Sequence, residues 1–503
     1  MKKVLFGLLL ILLCTGVSRQ ARAETYYIAP NGDDNRSGAS EDEAWATFNH
    51  AWQSLFPGDS LILLDGIYYQ TLQPNVRAGQ PGKPITIKAQ NDGRAIIDGE
   101  FKRDVIRIGD WTPRDWFVIE GLVARNALLH VIHIDKGTHN VLRRVSAYNA
   151  SVDDNSAVIA VQYPEAQYNV IEDCVAAGTG RKMIYTYGGQ HNTFRRCFAA
   201  WLRWDGRKFC EQQWPNGANL QFYGGSYNLI ENSIAFGGVP KWNVSMGNQG
   251  NLADPTVQGN QILGTISLLA GRDWTGQPMN YGTRPACDDP TKTPVFANLE
   301  EWPYFRIGFV ADRQDNTTVS DNVFRDIFSY GNYSEGMGYY ASTFTSPGGG
   351  FSIDHATITG NLGLAHIEGP SVNIGQQSMP RFDGITNSLI GGTQYQEEGA
   401  RLSNRYVDGV LTNEPLWPWP MEERIQHELG LSVTGVIQPL VTSQGQTAPV
   451  LPASMPASVP LDAAPAVTPT PTSVGPTPTA TPISTQPAGR DSAKLFLPNV
   501  TRN

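Results

Sequence analysis

A nine-residue pattern recurs along the first half of the chain and restricts the possible folds more than any other feature of the sequence. It is found at residues 116–124, 139–147, 168–176, 191–199, 227–235 and 259–267, and more loosely at 317–324, 356–364 and 383–390. The six closest copies begin 23, 29, 23, 36 and 32 residues apart. This spacing is typical of a solenoid in which each repeat forms one coil. The pattern therefore predicts a solenoid over most of residues 85–393.

Two columns of the alignment predict how the coils stack. From the second copy onwards the second column holds asparagine, at Asn140, Asn169, Asn192, Asn228 and Asn260. Asparagine suits turns, and a stack of side-chain amides can hydrogen-bond along the axis of stacked strands. The fourth column is wholly apolar and is predicted to face the core, with Ile119, Leu142, Ile171, Phe194, Ile230 and Ile262.

The fifth column alternates in charge from one copy to the next. It holds Glu120, Arg143, Glu172, Arg195 and Glu231. Strands of neighbouring coils lie about 4.8 Å apart, so a column of one sign would repel, whereas alternation gives favourable cross-strand pairs. We predict that these five side chains form one line on the outside of the solenoid.

Two further columns contain residue types that often take part in catalysis. The seventh includes Cys174 and Cys197 among small and apolar residues, which predicts stacked core thiols, because buried cysteine behaves as a small hydrophobic residue. The first column holds aromatic residues and histidines, which we interpret as stacked turn residues and not as bases: Trp116, His139, Tyr168, His191 and Tyr227.

These columns predict an all-β fold, a right-handed parallel β-helix with short helices at both ends. A stack of coils has open strand edges that must be covered, since uncovered edges pair with other chains. Residues 44–55 read as a covering helix at the front, and residues 421–429 as one at the back.

The sequence divides into four segments. Lys2 and Lys3, the apolar run 4–14 and the small residues Ala21 and Ala23 predict a signal peptide at 1–23. The β-helix domain is predicted at 24–440, and a linker rich in Pro, Thr, Ser and Ala at 441–490. A short apolar tail occupies 491–503. We therefore expect a monomer that is secreted or held at the cell surface, without a transmembrane segment.

The charge of the chain argues against nucleic acid as a partner. The net charge is −9, and loss of four basic residues with the signal peptide makes it −9 − 4 = −13. Phosphate contacts require a basic surface. The four remaining cysteines, Cys174, Cys197, Cys210 and Cys287, fit no zinc-binding spacing.

The start of the domain resembles a known family. Residues 26–38 (YYIAPNGDDNRSG), 44–52 (AWATFNHAW), 57–69 (PGDSLILLDGIYY) and 82–99 (GKPITIKAQNDGRAIIDG) are similar to the N-terminal cap and first coils of the pectate-lyase-like β-helix superfamily. The resemblance implies export and the β-helix fold. In that superfamily the same opening precedes polysaccharide lyases, glycoside hydrolases and epimerases, so it implies extracellular polysaccharide as the partner without choosing a reaction.

Extra residues enter the repeats at a similar place each time, and these insertions predict a groove. Counted from the repeat asparagine, Asp153 and Asp154 lie at +13 and +14, Lys182 at +13, and the excursion 272–315 begins at +12. The extra chain of the 36-residue repeat begins at Trp201, at +9. Loops that leave a solenoid at one place pile up on one side and form a wall.

The residues of these insertions fit the chemistry of acidic sugars. We expect Lys182, Arg181 and Asp154 to be catalytic. We expect three rings to stack on sugars, those of Trp201, Trp204 and Trp214. We expect three cations to hold sugar carboxylates, those of Arg203, Arg207 and Lys208. Oxygen ligands for Ca²⁺, the cofactor considered, are expected from Asp153, Asp154 and Asp205.

Two classes of function agree with this set of residues. In the first, the chain binds and cleaves polysaccharide, and lyase chemistry is favoured over hydrolysis. A cation neutralises a uronic acid carboxylate and Lys182 or Arg181 takes the neighbouring carbon-bound proton. Hydrolysis would need two carboxylates on either side of the bond. In the second class, the chain is a non-catalytic surface or glycan-binding protein, in which the tryptophans anchor loops and Asp154 pairs with Lys182.

The core thiols provide a direct test of the alignment. If Cys174 and Cys197 face the core, a thiol reagent should modify neither while the protein is folded and both once it is denatured in urea. Mass spectrometry of the labelled peptides measures this. Rapid labelling of both cysteines in the folded protein would contradict the alignment.

Overall fold

A computed structural model of the chain describes residues 23–110, 112–151, 156–201, 218–237, 242–248, 256–268, 307–313, 318–330 and 402–442, together with the backbone of seven strands between 351 and 394. These residues belong to one compact unit, Met1–Val459. The predicted signal peptide and tail, and most of the predicted linker, lie outside the described residues.

The strands form three stacks, which we call face 1, face 2 and face 3. Face 1 consists of Thr25–Ile28, Ser60–Leu63, Ile85–Ala89, Phe117–Glu120, Val141–Arg143, Val170–Glu172, Thr193–Arg195, Leu229–Glu231, Gln261–Leu263, Asn322–Tyr330, Phe351–Thr359 and Val372–Ile374. Face 2 consists of Gly66–Tyr68, Ala95–Asp98, Val123–Arg125, Ser146–Tyr148, Val175–Gly178, Phe198–Trp201, Ile234–Phe236 and Ile266–Leu268. Face 3 consists of Ile106–Ile108, Ile132–Asp135, Ala157–Gln162, Lys182–Tyr187, Ala218–Tyr223, Trp242–Asn248 and Ile307–Arg313.

The other strands are short pairs, and the helices lie near the two ends of the described chain. Thr256–Gln258 pairs in parallel with Thr318–Ser320; the antiparallel pairs are Leu364–Ile367 with Phe382–Thr386, Val372–Ile374 with Gln377–Ser378, Leu389–Ile390 with Thr393–Gln394, and Asn404–Val407 with Val410–Pro415. The α-helices are α1 (Phe48–Ser54), α2 (Glu422–Leu429) and α3 (Val433–Thr442), and a 3₁₀ turn spans Glu41–Glu43.

Within the described residues, no helix has the length and hydrophobicity needed to cross a bilayer.

Most coils contribute one strand to each face in turn, and the strands of a face pair in parallel from one coil to the next. The long strand Asn322–Tyr330 continues from face 1 into face 2, where it pairs with Ile266–Leu268. Ile171 of face 1, for example, lies between Leu142 and Phe194, and Ile184 of face 3 lies between Ile159 and Leu220. This is a parallel β-helix, and the predicted fold class is confirmed. The predicted register of the repeat is confirmed as well.

The core is filled by the side chains that point inward from the three faces. The predicted apolar column is fully buried, with 0% exposure at Leu142, Ile171 and Phe194. Cys174 and Cys197 belong to the same core, at 1% and 0% exposure. Burial raises the pKa of both thiols, to about 12 at Cys174. The prediction that they are core residues and not reactive groups is confirmed.

The asparagine column forms a continuous hydrogen-bonded ladder through the turns before face 1. The backbone N–H and side-chain amide of Asn140 both donate to Oδ1 of Asn169, each at 3.0 Å. The same pair of bonds links each of the following asparagines to the next, through Asn169, Asn192, Asn228, Asn260 and Asn322. All of these asparagines are buried, so the ladder supplies the hydrogen-bond partners that buried polar groups need and that the apolar core lacks.

The residues preceding the asparagines stack in the left-handed backbone conformation. Their φ angles lie between 54° and 59°, a region that non-glycine residues enter at a cost. The rings stack at centroid distances of 4.2 to 5.1 Å, in the order Trp116, His139, Tyr168, His191 and Tyr227. Stacking offsets part of the backbone cost. The interpretation of these histidines as turn residues is confirmed.

The charged column is one line of neighbours, as predicted, but part of it is buried. Arg195 Nε lies 3.0 Å from Glu172 and its Nη1 lies 3.6 Å from Glu231. The expectation that the line is exposed is wrong at Glu231, which has 0% exposure. The turn of the Asn404–Pro415 hairpin covers it, and the backbone N–H of Gly409 donates to its carboxylate at 3.0 Å. Burial nevertheless raises the pKa of Glu231.

Both predicted helices are present, as α1 and α2. Helix α1 packs Phe48, Ala51 and Trp52 against the first coil. The expectation that α2 covers the back end of the coils is wrong: it lies against the side of early coils, where Arg424 donates to the carbonyls of Gly121 and Arg144. Helix α3 was not predicted, and it extends the described domain two residues beyond the expected limit at 440.

Replacement of one ladder asparagine should destabilise the whole domain. Asn169→Leu keeps the branched shape of the side chain but leaves the Gly137 carbonyl and the Asn140 amide without their buried partner. We expect the free energy of unfolding to fall by about 2–5 kcal/mol, because each unsatisfied buried group costs about 1–3 kcal/mol. Urea denaturation followed by tryptophan fluorescence measures the loss. The exposed Asn91→Leu is the control and should cost less than about 0.5 kcal/mol; equal losses would contradict the role of the ladder.

Candidate functional site

The insertions enter the coils at one corner, between a face-2 strand and the face-3 strand that follows; we call this the loop corner. Face-2 strands end at Tyr148, Gly178, Trp201, Phe236 and Leu268, and face-3 strands begin at Ala157, Lys182, Ala218, Trp242 and Ile307. The predicted shared insertion point is confirmed for residues 149–156, 202–217 and 269–306, but in the coil of Asn228 the longest connection follows face 3, between Asn248 and Thr256. The excursion predicted at 272–315 is corrected, because Ile307–Arg313 is a strand of face 3. The bodies of the long insertions lie outside the described residues.

Lys182 is the first residue of its face-3 strand, next to the shortest of these connections. Its ammonium nitrogen lies 4.1 Å from the ring centroid of Tyr185 and 5.1 Å from that of Tyr223. These two rings belong to an apolar cluster separate from the core, so the side chain is on the outside of face 3. Lys182 is only 5% exposed. Its burial, and secondly the charge of Arg181, hold the pKa of Lys182 well below its ordinary value.

The outside of face 3 carries a column of polar side chains in register with Tyr185. From coil to coil the column runs through Arg107, His133, Ala160, Tyr185, Gln221 and Ser245. Among the described residues, Gln221 Oε1 and Ser245 Oγ are buried and have no hydrogen-bond partner. Buried polar groups normally have partners, so the hydroxyls of a bound ligand would match these two atoms.

Two histidines lie on the other side of Ala160 from Tyr185. The imidazole centroids of His130 and His133 are 4.5 Å apart. Nδ1 of His130 accepts a hydrogen bond of 2.9 Å from the backbone N–H of Ala157, which places the proton of the neutral ring on Nε2. Burial lowers the pKa of His130 well below its ordinary value and the pKa of His133 to about 4. Both rings are therefore neutral at neutral pH.

Asp135 lies at the end of the same strand as His133. Its carboxylate is 3.8 Å from Nε2 of His133 and the residue is 6% exposed. Burial raises the pKa of Asp135 to about 6, against the opposite effect of Arg107. The site thus combines an amine whose pKa is lowered by burial, neutral imidazoles and a carboxyl group that is protonated in mild acid.

The residues predicted for the site fall into three groups. Lys182 and Arg181 are at the loop corner, as the insertion pattern indicated. Trp201 is a correction: it is 4% exposed, packs in the core, and its indole N–H donates to the Gly180 carbonyl at 3.2 Å, so its ring cannot stack on a sugar. The remaining predicted residues lie outside the described part of the chain: Asp153, Asp154, Arg203, Trp204, Asp205, Arg207, Lys208 and Trp214.

Sequence reasoning missed the other polar residues of face 3. His130, His133, Asp135, Gln162 and Tyr185 are all outside the nine-residue pattern, which covers faces 1 and 2 only. These residues could have been found only by a separate alignment of the face-3 segments 132–135, 157–162 and 182–187, and of these only 132–135 shows clear alternation of apolar and polar residues.

Among the residues that the structure describes, no group of three His, Cys, Asp or Glu side chains could hold a metal ion. The three aspartates predicted to bind Ca²⁺ are not among them.

Comparisons with known proteins agree with the sequence resemblance. No family model matches the chain. Over 375 residues it is 24% identical to pectate lyase L of Dickeya chrysanthemi, covering 69% of this chain and 76% of that protein. This chain is therefore similar to a pectate lyase over more than two-thirds of its length. It is also 28% identical over 102 residues to the uncharacterized protein YwoF of Bacillus subtilis (strain 168), covering 19% of this chain and 21% of that protein.

Among solved structures, the crystal structure of pectate lyase Pel9A aligns with 70% of this chain and 78% of that chain, at 15% identity and a TM-score of 0.44.

The raised pKa of Asp135 predicts a pH-dependent effect on stability. The folded state binds the proton of Asp135 up to about pH 6, but the unfolded state releases it near pH 3.8. Stability is therefore lost as the pH rises through this window. We expect Asp135→Asn to be up to about 3 kcal/mol more stable than wild type above pH 6 and equal to it below pH 4, since one pKa unit corresponds to about 1.4 kcal/mol. Urea denaturation at pH 3.5 and 7.5 measures this. The exposed Asp42→Asn is the control, and a difference that does not change with pH would contradict the assignment.

Proposed function

We propose that this chain is an extracellular polysaccharide lyase that cleaves a uronic acid polymer by β-elimination, with Lys182 as the base. The carrying observation is the environment of Lys182, a buried amine whose pKa is held down by burial and by Arg181. A general base works best when its pKa is near the working pH and it is not protonated. An ordinary surface lysine would be protonated and could not take a proton.

The neighbours of Lys182 supply the rest of the reaction. Arg181 is a cation beside the base, and a guanidinium can hold the substrate carboxylate by two parallel hydrogen bonds. Neutralising that carboxylate acidifies the carbon-bound proton next to it, which the amine then takes. Gln221 and Ser245 offer buried polar atoms to sugar hydroxyls.

The comparison with pectate lyase L supports a lyase over a hydrolase. The described site supports the same choice, because it presents an amine of lowered pKa beside a cation, whereas hydrolysis requires two carboxylates on opposite sides of the bond. The predicted signal peptide supports a site of action outside the cytoplasm.

The insertions complete the proposal. We assign substrate binding to Arg203, Trp204, Arg207, Lys208 and Trp214, and Ca²⁺ binding to Asp153, Asp154 and Asp205, on their sequence pattern alone. Bound Ca²⁺ would supply further positive charge for the substrate carboxylate. If Ca²⁺ is required, chelation should abolish product formation and added Ca²⁺ should restore it.

Replacement of Lys182 should remove activity and leave the fold intact. With polygalacturonate and other uronic acid polymers as substrates, we expect Lys182→Met to lower kcat by about 10³-fold, within the usual range for a catalytic base. Its melting temperature should not fall, because the change removes a buried cation and no core packing. The ultraviolet absorbance of the unsaturated product measures activity. Lys88→Met, on face 1, is the control and should retain full activity.

The pH profile gives an independent check. Wild-type kcat/KM should fall in acid as Lys182 becomes protonated, and it should fall at a pH well below the ordinary pKa of lysine. If no uronic acid polymer yields an unsaturated product while the protein still retains glycan in a binding assay, the non-catalytic glycan-binding function replaces this proposal.

A further inference from the structure

One hydrogen bond on face 3 fixes the direction in which the hydroxyl group of Tyr185 points, next to the proposed base Lys182. The side-chain amide nitrogen of Gln162 donates to the hydroxyl oxygen of Tyr185. Gln162 lies on the neighbouring coil, where its backbone pairs with Tyr187. Its other side-chain atom is an oxygen, and a hydrogen bond between Gln162 and His133 raises the pKa of that imidazole, although burial outweighs it. The amide is thus held between a histidine and a tyrosine.

This arrangement leaves the phenol as a donor. A tyrosine hydroxyl has one hydrogen and accepts through its oxygen. The amide N–H occupies the oxygen, so the phenolic hydrogen is directed elsewhere. Tyr185 is 2% exposed, and burial raises its pKa, so the hydroxyl keeps its proton at all working pH values.

The same ring is in contact with the proposed base. The amine of Lys182 lies 4.1 Å from the centroid of the Tyr185 ring. A base held against the ring of a phenol can act together with its hydroxyl on neighbouring atoms of one substrate, since atoms two bonds apart in a sugar are only about 2.5 Å apart by ordinary bond lengths. β-Elimination requires such a pair, because the proton leaves C5 and the glycosidic oxygen leaves the adjacent C4.

We propose that Tyr185 is the general acid that protonates the leaving glycosidic oxygen, and that Gln162 is the positioning residue that aims its hydroxyl. This inference rests on the proposed function and assigns a second catalytic residue to it.

The reaction balances without any further reactant. The neutral amine of Lys182 takes the C5 proton, and the electron pair of that C–H bond forms the C4=C5 double bond. The C4–O bond breaks with its electron pair on oxygen, and that oxygen takes the proton of the Tyr185 hydroxyl. The products are an unsaturated sugar and a free hydroxyl end, with an ammonium and a phenolate left in the site. Proton transfer from the ammonium to the phenolate restores both groups.

The test compares two substrates that differ in their need for an acid. The first is polygalacturonate, whose leaving alkoxide must be protonated. The second is a uronic acid carrying 4-nitrophenol on C4, whose leaving group departs as a stable anion. We expect Tyr185→Phe to lower kcat about 100-fold on the polymer, as for loss of a general acid, and less than about threefold on the nitrophenyl substrate. Lys182→Met should lose activity on both, because both require removal of the C5 proton.

Gln162→Glu tests the positioning role. A carboxylate in place of the amide would accept the phenolic hydrogen and turn it away from the substrate. We expect a loss on the polymer similar to that of Tyr185→Phe, and again little loss on the nitrophenyl substrate. A purely structural role of Gln162 would lower the two activities together.

Tyr168→Phe is the matched control, because it removes a phenolic hydroxyl at a different corner of the coil, and it should behave as wild type on both substrates. Equal losses on the two substrates, or full activity of Tyr185→Phe on the polymer, would overturn the assignment of Tyr185 while leaving Lys182 as the base. Absence of unsaturated product from the wild-type protein would overturn the proposed function, and this inference with it.

Discussion

The buried asparagine ladder sets the register on which the rest of the structure depends. The side-chain amide of Asn169 donates to the asparagine of the next coil and to the backbone carbonyl of Gly137, and its counterparts make equivalent bonds. A slip of one residue would therefore break several buried hydrogen bonds at once. Because that register is fixed, a residue at a given place in one coil lies directly beside its counterpart in the next. The core column, the charged line and the polar column of face 3 are all consequences of this one constraint.

The same stacking explains how a chemical site arises on a repetitive scaffold. Small residues such as Ala157 and Ala160 lie between larger polar ones on face 3, so groups from three successive coils come together there. His133, Lys182 and Tyr185 are separated along the sequence, yet the coil spacing brings them to one surface. Burial then shifts their pKa values: it lowers those of the amine and the imidazole and raises that of the phenol.

The fold was predictable because its signals are local and repeated. The alignment identified the inward column, the core thiols and the alternating charges, and the structure confirms each. The errors arose at two residues whose surroundings the repeat pattern does not specify. Glu231 was expected to be exposed, but the hairpin that carries Gly409, far along the chain, covers it. Trp201 was expected at the surface, but it ends a face-2 strand and its ring fills the core.

The sequence by itself determined the repeat, its register and the corner at which most of the insertions enter, and it offered Lys182 or Arg181 as the candidate base, because each follows from residues at fixed intervals along the chain. Only the tertiary structure decided which groups surround Lys182. Tyr185 and Gln162 are ordinary strand residues in the sequence, and their hydrogen bond exists only because neighbouring coils stack in parallel. The depression of the Lys182 pKa was likewise set by the tertiary structure, since it results from exclusion of water, which no spacing along the chain can reveal.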